Sequence, residues 1–268
     1  MHEQNELYAS KIFFNAALPL LKVIATDVPS LKAKFDKLTT VLQVSALDPE
    51  APGGKYATHF IITEGEWETK LNCAHEAPDV ELEFKTIEAM NAFFKGKIGP
   101  KTLPKMKGVI KNFPAFTAML MTLLKLSDLT GATQPPKDEE TKTLMVKCFF
   151  YLLSSGISQL NKMGHTEIKD WTSKSPDRVY AFAVDGHPEV SAFIRIKAGK
   201  SRAGRGEYKR AMPFFTLRFN NLDSALGILL SIDDMLEATK AGRLIMDGGP
   251  EFGAQLGGFM LEVGDLAK

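Results

Sequence analysis

The chain has little cysteine, almost no charge imbalance and no clustered histidine. Its 268 residues include two cysteines, Cys73 and Cys148, one in each half. Their separation suits neither a metal site nor a redox pair, so a disulfide scaffold is excluded and a reducing compartment is expected. Lys and Arg number 33 against 32 Asp and Glu, a net charge of +1, which gives no overall attraction to nucleic acid. The histidines, His2, His59, His75, His165 and His187, never pair at helical spacing with another His or a Cys, so no zinc site is read. No apolar run reaches the roughly 18 residues of a membrane span. The start, Met1-His2-Glu3-Gln4-Asn5-Glu6, lacks the basic and apolar regions of a secretory signal. A cytoplasmic protein without cofactor or metal is the expectation.

Catalytic patterns are missing too. There is no Gly-x-Ser-x-Gly elbow. Gly199-Lys200-Ser201 resembles the end of a phosphate-binding loop, but Ile194 stands where the loop needs glycine. An active site would have to converge from distant positions such as His59, His75 and Glu66. The chain therefore reads as non-enzymatic.

What is present is a repeat. Val80-Glu81-Leu82-Glu83-Phe84 alternates apolar and polar residues, as does Phe215-Thr216-Leu217-Arg218-Phe219. A helical pattern follows each, from Thr86 and from Asn221, either of which can cap a helix through its side-chain oxygen. Three further matches keep the order at nearly the same offset: Lys11–Phe14 with Lys147–Phe150, His59–Ile61 with Ala192–Ile194, and Pro114–Leu120 with Pro250–Leu256. A period of about half the chain is a duplicated domain, not a solenoid repeat. Hydrophobic content of 44% and charged content of 24% suit two ordinary globular domains. Thr130-Gly131-Ala132-Thr133-Gln134-Pro135-Pro136-Lys137 forbids a helix, giving domains over 1–130 and 138–268 with a linker over 131–137.

Each half predicts an opening helix and then strands. These are 40–46, 56–63, 67–73 and 80–84 in the first copy, and 179–184, 190–197, 208–212 and 214–219 in the second. A helix, a short strand (108–110 or 242–246) and a last helix with Pro114 or Pro250 in its first turn complete each copy. Short successive strands suggest an antiparallel meander. The expected class is α+β: two similar domains, each an antiparallel sheet of about five strands with helices on one face.

Three segments carry functional readings. Residues 197–210 hold Lys197, Lys200, Arg202, Arg205, Lys209 and Arg210 against Glu207. They read as a mobile hairpin tip; Lys200, Arg202 and Arg205 would offer transient docking to a membrane surface or an acidic partner. Asp247 before Gly248-Gly249-Pro250 reads as a helix cap. Residues 113–124 contain Phe113, Phe116, Met119, Leu120, Met121, Leu123 and Leu124 with no charge. As a helix this segment is apolar nearly all round and must be covered on more than one face. Candidates for the second cover are an apolar ligand, the other domain or an oligomer partner.

At these residues the chain resembles the sterol carrier protein type 2 lipid-binding domain family. The likeness rests on Gly65-Glu66-Trp67, Asp79–Phe84, Phe93-Phe94-Lys95-Gly96-Lys97-Ile98 and Met106-Lys107-Gly108-Val109-Ile110-Lys111. In the second copy only Phe215–Leu230, Ala241–Ile245 and the final helix fit. The resemblance implies an apolar tunnel between sheet and helices for a sterol, fatty acid, acyl-CoA or phospholipid. Its expected walls are Phe84, Phe93, Phe94, Met106, Phe116, Leu120 and Leu123. Second-copy candidates are Phe219, Leu226, Leu229, Leu244, Phe252, Leu256 and Phe259. Gly253, Gly257 and Gly258 in the second copy's last helix, each costing about 1 kcal/mol against Ala, either let backbones approach and shrink a cavity or let the helix move and open one. The first copy is thus the expected pocket. The competing expectation is a scaffold in which the repeats form a pseudo-dimer with filled cores.

Overall fold

A computed structural model describes residues 3–267; His2 lies outside them. The chain divides into two compact units, one running to Asp128 and the other spanning Leu129–Asp265. Each holds one five-stranded sheet with helices on one face, the α+β arrangement expected.

In the first unit the strands are β1 (Thr39–Leu47), β2 (Lys55–Thr63), β3 (Glu66–Leu71), β4 (Val80–Phe84) and β5 (Lys105–Lys107), in the order β3-β2-β1-β4-β5. In the second they are β6 (Arg178–Val184), β7 (Ala192–Lys197), β8 (Lys200–Arg205), β9 (Phe215–Phe219) and β10 (Leu244–Asp247), in the order β10-β9-β6-β7-β8. Read from the opposite end, the second order is the first, so the duplication holds at the level of topology.

One pairing in each sheet departs from the antiparallel expectation. β4 runs parallel to β1, with Leu42 opposite Val80, and β9 runs parallel to β6, with Tyr180 opposite Phe215. The reason is the connection between the third and fourth strands. Residues 72–79 do not turn back in a hairpin but cross the sheet's outer face. The Cys73 carbonyl meets His59 Nδ1 at 2.7 Å, the His75 N–H donates to Gln43 Oε1 at 2.7 Å, and the Asp79 N–H donates to the Val41 carbonyl. The crossing sets β4 beside β1 in the same direction.

The local chemistry explains the ends of several elements. Thr86 Oγ1 accepts from the Ala89 N–H and caps α4 (Ile87–Phe94); Asn221 Oδ1 accepts from the Ser224 N–H and caps α8 (Leu222–Leu229). The strand expected at 108–110 falls instead at Lys105–Lys107. Gly108 takes a left-handed φ of 73°, and a Cβ there would strike the Asp79 carbonyl oxygen, so the chain turns away. The opening helix of the first unit runs as α1 (Gln4–Ile12), a π-helical turn at Phe13–Ala17 and α2 (Leu20–Asp27). Pro19 has no N–H to continue an α-helical ladder, and the Leu18 N–H bonds the Phe13 carbonyl across the widened turn. Its counterpart α6 (Glu139–Lys162) is unbroken. Gln4–Asp27 and Glu139–Lys162 are long and apolar enough to cross a membrane, but 78% and 72% of their apolar windows are buried in the folded chain, as in core helices.

The two basic-segment expectations change most. Lys200–Arg205 is not a mobile tip but β8, paired along its length with β7; only Ala198 and Gly199, both left-handed, form the turn. Tyr208–Met212, expected as a strand, belongs to the second unit's crossing segment. Asp247 does not cap the last helix, α10 (Pro250–Ala267); its carboxylate pairs with Arg218 at 2.8 Å.

The first unit's crossing segment buries a polar cluster. Glu81 accepts from Gln43 Nε2 at 2.6 Å, Ser45 Oγ at 2.7 Å, Lys55 Nζ at 2.8 Å and Lys107 Nζ at 3.0 Å. Burial alone would push its carboxyl up. The bonds from Lys55, Ser45, Lys107 and Gln43 outweigh that and hold it at about 2. A depressed carboxylate stabilises the fold above its unfolded value and loses that contribution as pH falls toward the folded one. Glu81→Gln should therefore cost on the order of 3 kcal/mol at neutral pH. Its deficit against wild type should shrink between roughly pH 4.5 and 2, as read by urea unfolding at a series of pH values. A pH-independent deficit would contradict this account.

Candidate functional site

The inner face of each sheet carries the apolar residues, by the alternation of β-strands. In the first unit, aromatic rings on that face and on its helices fill the space between them. Phe13 stacks on Phe94 at 3.9 Å between centroids; Phe84 lies 5.4 Å from Phe93 and 5.7 Å from Phe94. Phe84 is fully buried and Leu123 nearly so, while Phe93, Phe94 and Phe116 are half-buried. Met106 stands exposed on the edge strand β5, and Leu120 is exposed on α5 (Phe113–Thr130). Of the first-copy wall set, the structure thus brings Phe84, Phe93 and Phe94 together and leaves Met106 and Leu120 facing outward.

The second unit has an open cleft of about 610 Å³ between the sheet, α7 (Thr166–Lys174) and α10. Three elements build its floor. Central strand β6 contributes Tyr180, α7 contributes Trp171, and α10 contributes Phe252 and Phe259. Trp171 lies 5.0 Å from both Tyr180 and Phe259 between ring centroids. These are edge-on and tilted contacts typical of aromatic clusters. Tyr180 is 1% exposed, and its hydroxyl has no hydrogen-bond partner among the described residues. A buried hydroxyl left unpaired costs about 1–3 kcal/mol. This one belongs to a residue that lines a cavity.

The rim is polar. The Arg178 guanidinium lies 3.8 Å from the ring centroid of Phe214, with Phe252 at 5.4 Å, a cation–π arrangement. Lys174 pairs with Asp170 at 2.7 Å and His165 Nε2 with Glu262 at 3.4 Å.

Three of the four glycines of α10 divide by direction. A side chain at Gly253 would meet Met246, and one at Gly257 would meet Met235, so both serve close approach. A Cβ at Gly258 meets nothing within 4 Å, and Gly258 lines the cleft. The missing side chain there is open volume.

Of the second-copy candidates, Phe252 and Phe259 line the cleft. Phe219, Leu226, Leu244 and Leu256 are fully buried core, and Leu229 is half-buried. Sequence reasoning misses Trp171, Tyr180 and Arg178 as site residues and marks Gly258 only as a glycine that could shrink or open a cavity. The available signal was Ile168, Trp171 and Thr172 at helical spacing between Gly164 and Pro176, which marks α7 as a helix with one apolar side. The three docking candidates do not form one patch. Lys200 and Arg202 share a face of β8, whereas Arg205 points to the other, its guanidinium 5.0 Å from the ring centroid of Tyr151 on α6. His59 and His75 do meet, with rings 5.3 Å apart on the outer face, while Glu66 opens β3 opposite Thr63 at the strand's far end. No group of three or more His, Cys, Asp or Glu among the described residues could hold a metal ion.

No protein-family model and no curated protein sequence matches the chain. Solved structures do. A solution structure of a conserved hypothetical protein from Thermus thermophilus, suggested to be a sterol carrier protein, matches 44% of this chain and 92% of its own at 18% identity and a TM-score of 0.30. A crystal structure of sterol carrier protein 2 matches 43% and 96% at 18% identity and 0.28. A ubiquinone synthesis protein, UbiJ-SCP2, matches 44% and 96% at 19% identity and 0.28. The chain is thus similar to sterol carrier protein 2 structures over less than half its length, and each of those chains is matched almost whole.

Proposed function

We propose that this protein binds and carries an apolar or amphipathic small molecule of lipid class, without chemical turnover, and that the ligand lies in the second unit's cleft. The observation that carries this reading is the aromatic-floored cleft of about 610 Å³, which Gly258 leaves open on the helix side. The volume falls in the range of roughly 300–1,000 Å³ common to small-molecule sites. Each methylene taken from water contributes about 0.8 kcal/mol, so a short acyl chain or one face of a sterol suffices for useful affinity. A negative charge on the ligand's polar group would face Arg178 at the rim. The sterol carrier resemblance in the residues points to the same ligand classes. The reading is binding rather than catalysis because Lys174 is paired with Asp170, His165 with Glu262, and Arg178 lies against the rings of Phe214 and Phe252.

Protein purified without delipidation should show, by native mass spectrometry, one apolar adduct per chain that organic extraction removes. In a Trp67→Phe background, leaving Trp171 as the sole indole, a fluorescent fatty acid or sterol should quench the emission saturably. No adduct together with no quenching would refute the proposal.

Two variants locate the ligand. Gly258→Leu should fill the cleft while leaving thermal stability equal or higher, since Leu favours a helix by up to about 1 kcal/mol over Gly; binding should fall at least tenfold. Tyr180→Phe should stabilise the ligand-free protein by about 1 kcal/mol or more by removing an unsatisfied hydroxyl. Its ligand affinity should stay close to that of wild type, because the hydroxyl is buried in the floor and not exposed to the cleft. Gly258→Leu protein that binds like wild type would place the ligand elsewhere.

A further inference from the structure

The first unit carries an exposed surface whose two halves share one character. Its first half is the segment after α4. Lys95, Lys97, Lys101, Lys105, Lys107 and Lys111 occur there with no Asp or Glu between 95 and 113. Lys107 turns to Glu81 and Glu83; the other five are exposed and engage no carboxylate among the described residues. Between these lysines stand Ile98, Leu103, Met106 and Ile110, all exposed, Ile110 to 97%.

The second half is α5. Ala115, Ala118, Met119, Thr122, Leu126 and Leu129 form its buried side. Phe113, Leu120, Met121 and Leu124 recur at helical spacing on the other, 59%, 40%, 44% and 56% exposed. An uncovered apolar stripe thus continues directly from a lysine-rich, apolar-studded segment. The equivalent connection of the second unit carries Asp233, Asp234 and Glu237 instead.

We infer that this face of the first unit docks onto an anionic lipid surface. The helix stripe and the isolated apolar side chains would enter the boundary between headgroups and acyl chains, as interfacial amphipathic helices do. The ammonium groups would rest at the phosphates on stems long enough to reach outward while the backbone sits deeper. A protein partner fits less well, because lysine is depleted in the buried centre of protein interfaces, and here lysines alternate with the apolar residues. The polybasic contribution, about 1 kcal/mol per lysine near an anionic surface, amounts to roughly fivefold in partition for each.

Vesicle flotation with the full chain tests this. Wild type should float with phosphatidylcholine vesicles containing phosphatidylserine, only weakly with phosphatidylcholine alone, and should be released at 1 M salt, where the screening length is about 3 Å. Reversing Lys97, Lys101, Lys105 and Lys111 together to Glu should lower partition by more than about a hundredfold. Ile110→Asn with Leu124→Asn should weaken it while leaving the salt dependence in place. Lys200→Glu with Arg202→Glu, on β8, should leave flotation unchanged. Circular dichroism confirms that each variant is folded; all these positions are exposed. Wild type that ignores anionic vesicles, or a reversed variant that floats like wild type, overturns the inference. Retention of such a non-floating wild type on a polyglutamate column, lost on lysine reversal, would assign the surface to an acidic protein.

Discussion

The central strand of each unit is hydrogen-bonded on both sides, antiparallel to the strand that follows it and parallel to the fourth, and the rest of the unit hangs on that pairing. It forces the chain to cross the sheet once. The crossing covers the outer face, so helices have the inner face to themselves and any ligand space must lie on that side. In the first unit the covered outer face could be polar because Glu81 found Lys55 and Lys107 to offset its burial. Breaking one partner of such a buried set is costly. In the second unit the equivalent positions carry Ala181, Thr216 and Phe193, the last in edge contact with Tyr208 of the crossing segment at 5.0 Å. The same geometric demand is met by a buried carboxylate with two lysines in one copy, and in the other by apolar packing beside the Arg218–Asp185 and Arg218–Asp247 ion pairs.

The shared register lets the two inner faces be compared residue by residue. Where β1 places Leu42 opposite Val80, β6 places Tyr180 opposite Phe215. Where α5 has Thr122 and Leu123 from its Pro114, α10 has Gly258 and Phe259 from its Pro250. The second copy therefore gains a hydroxyl at its central strand and loses a side chain on the helix above it. The first change supplies a polar group and the second supplies room. In the first unit Thr122 is buried, and the rings of Phe13, Phe84, Phe93 and Phe94 occupy one another.

Much of this architecture was legible in the sequence. The repeat, the 80–84 strand, the Thr86 and Asn221 caps and the proline-led last helices all follow from alternation, side-chain oxygens and missing N–H groups. What was not legible depends on faces and on long-range pairing. Alternation marks β4 as a strand but says nothing of whether its neighbour runs parallel. Basic residues with glycines read as a loop, yet Lys200–Arg205 forms a strand because β7 offers an edge and Ser201 finds Ser158 and Asn161 on α6. The expected pocket went to the first copy because its apolar helix looked underemployed. Composition cannot say whether an apolar residue faces a cavity or solvent, and Leu120, Met121 and Leu124 face solvent.

Three of the four glycines of α10, Gly253, Gly257 and Gly258, show the same limit. As residue types they are interchangeable, each destabilising a helix by about 1 kcal/mol. Their neighbours separate them. Gly253 and Gly257 recover that cost through the closeness of Met246 and Met235, whose flexible thioether chains fill irregular space. Gly258 recovers nothing from packing, because nothing stands against it. Gly264 is equally open, so such a position is not a site by itself; Gly258 differs in lining the cleft. The unpaired hydroxyl of Tyr180, buried in the floor of the same cleft, is a second local cost. Gly258 and Tyr180 thus mark the cleft by position, one leaving room on the helix side and the other forming the floor.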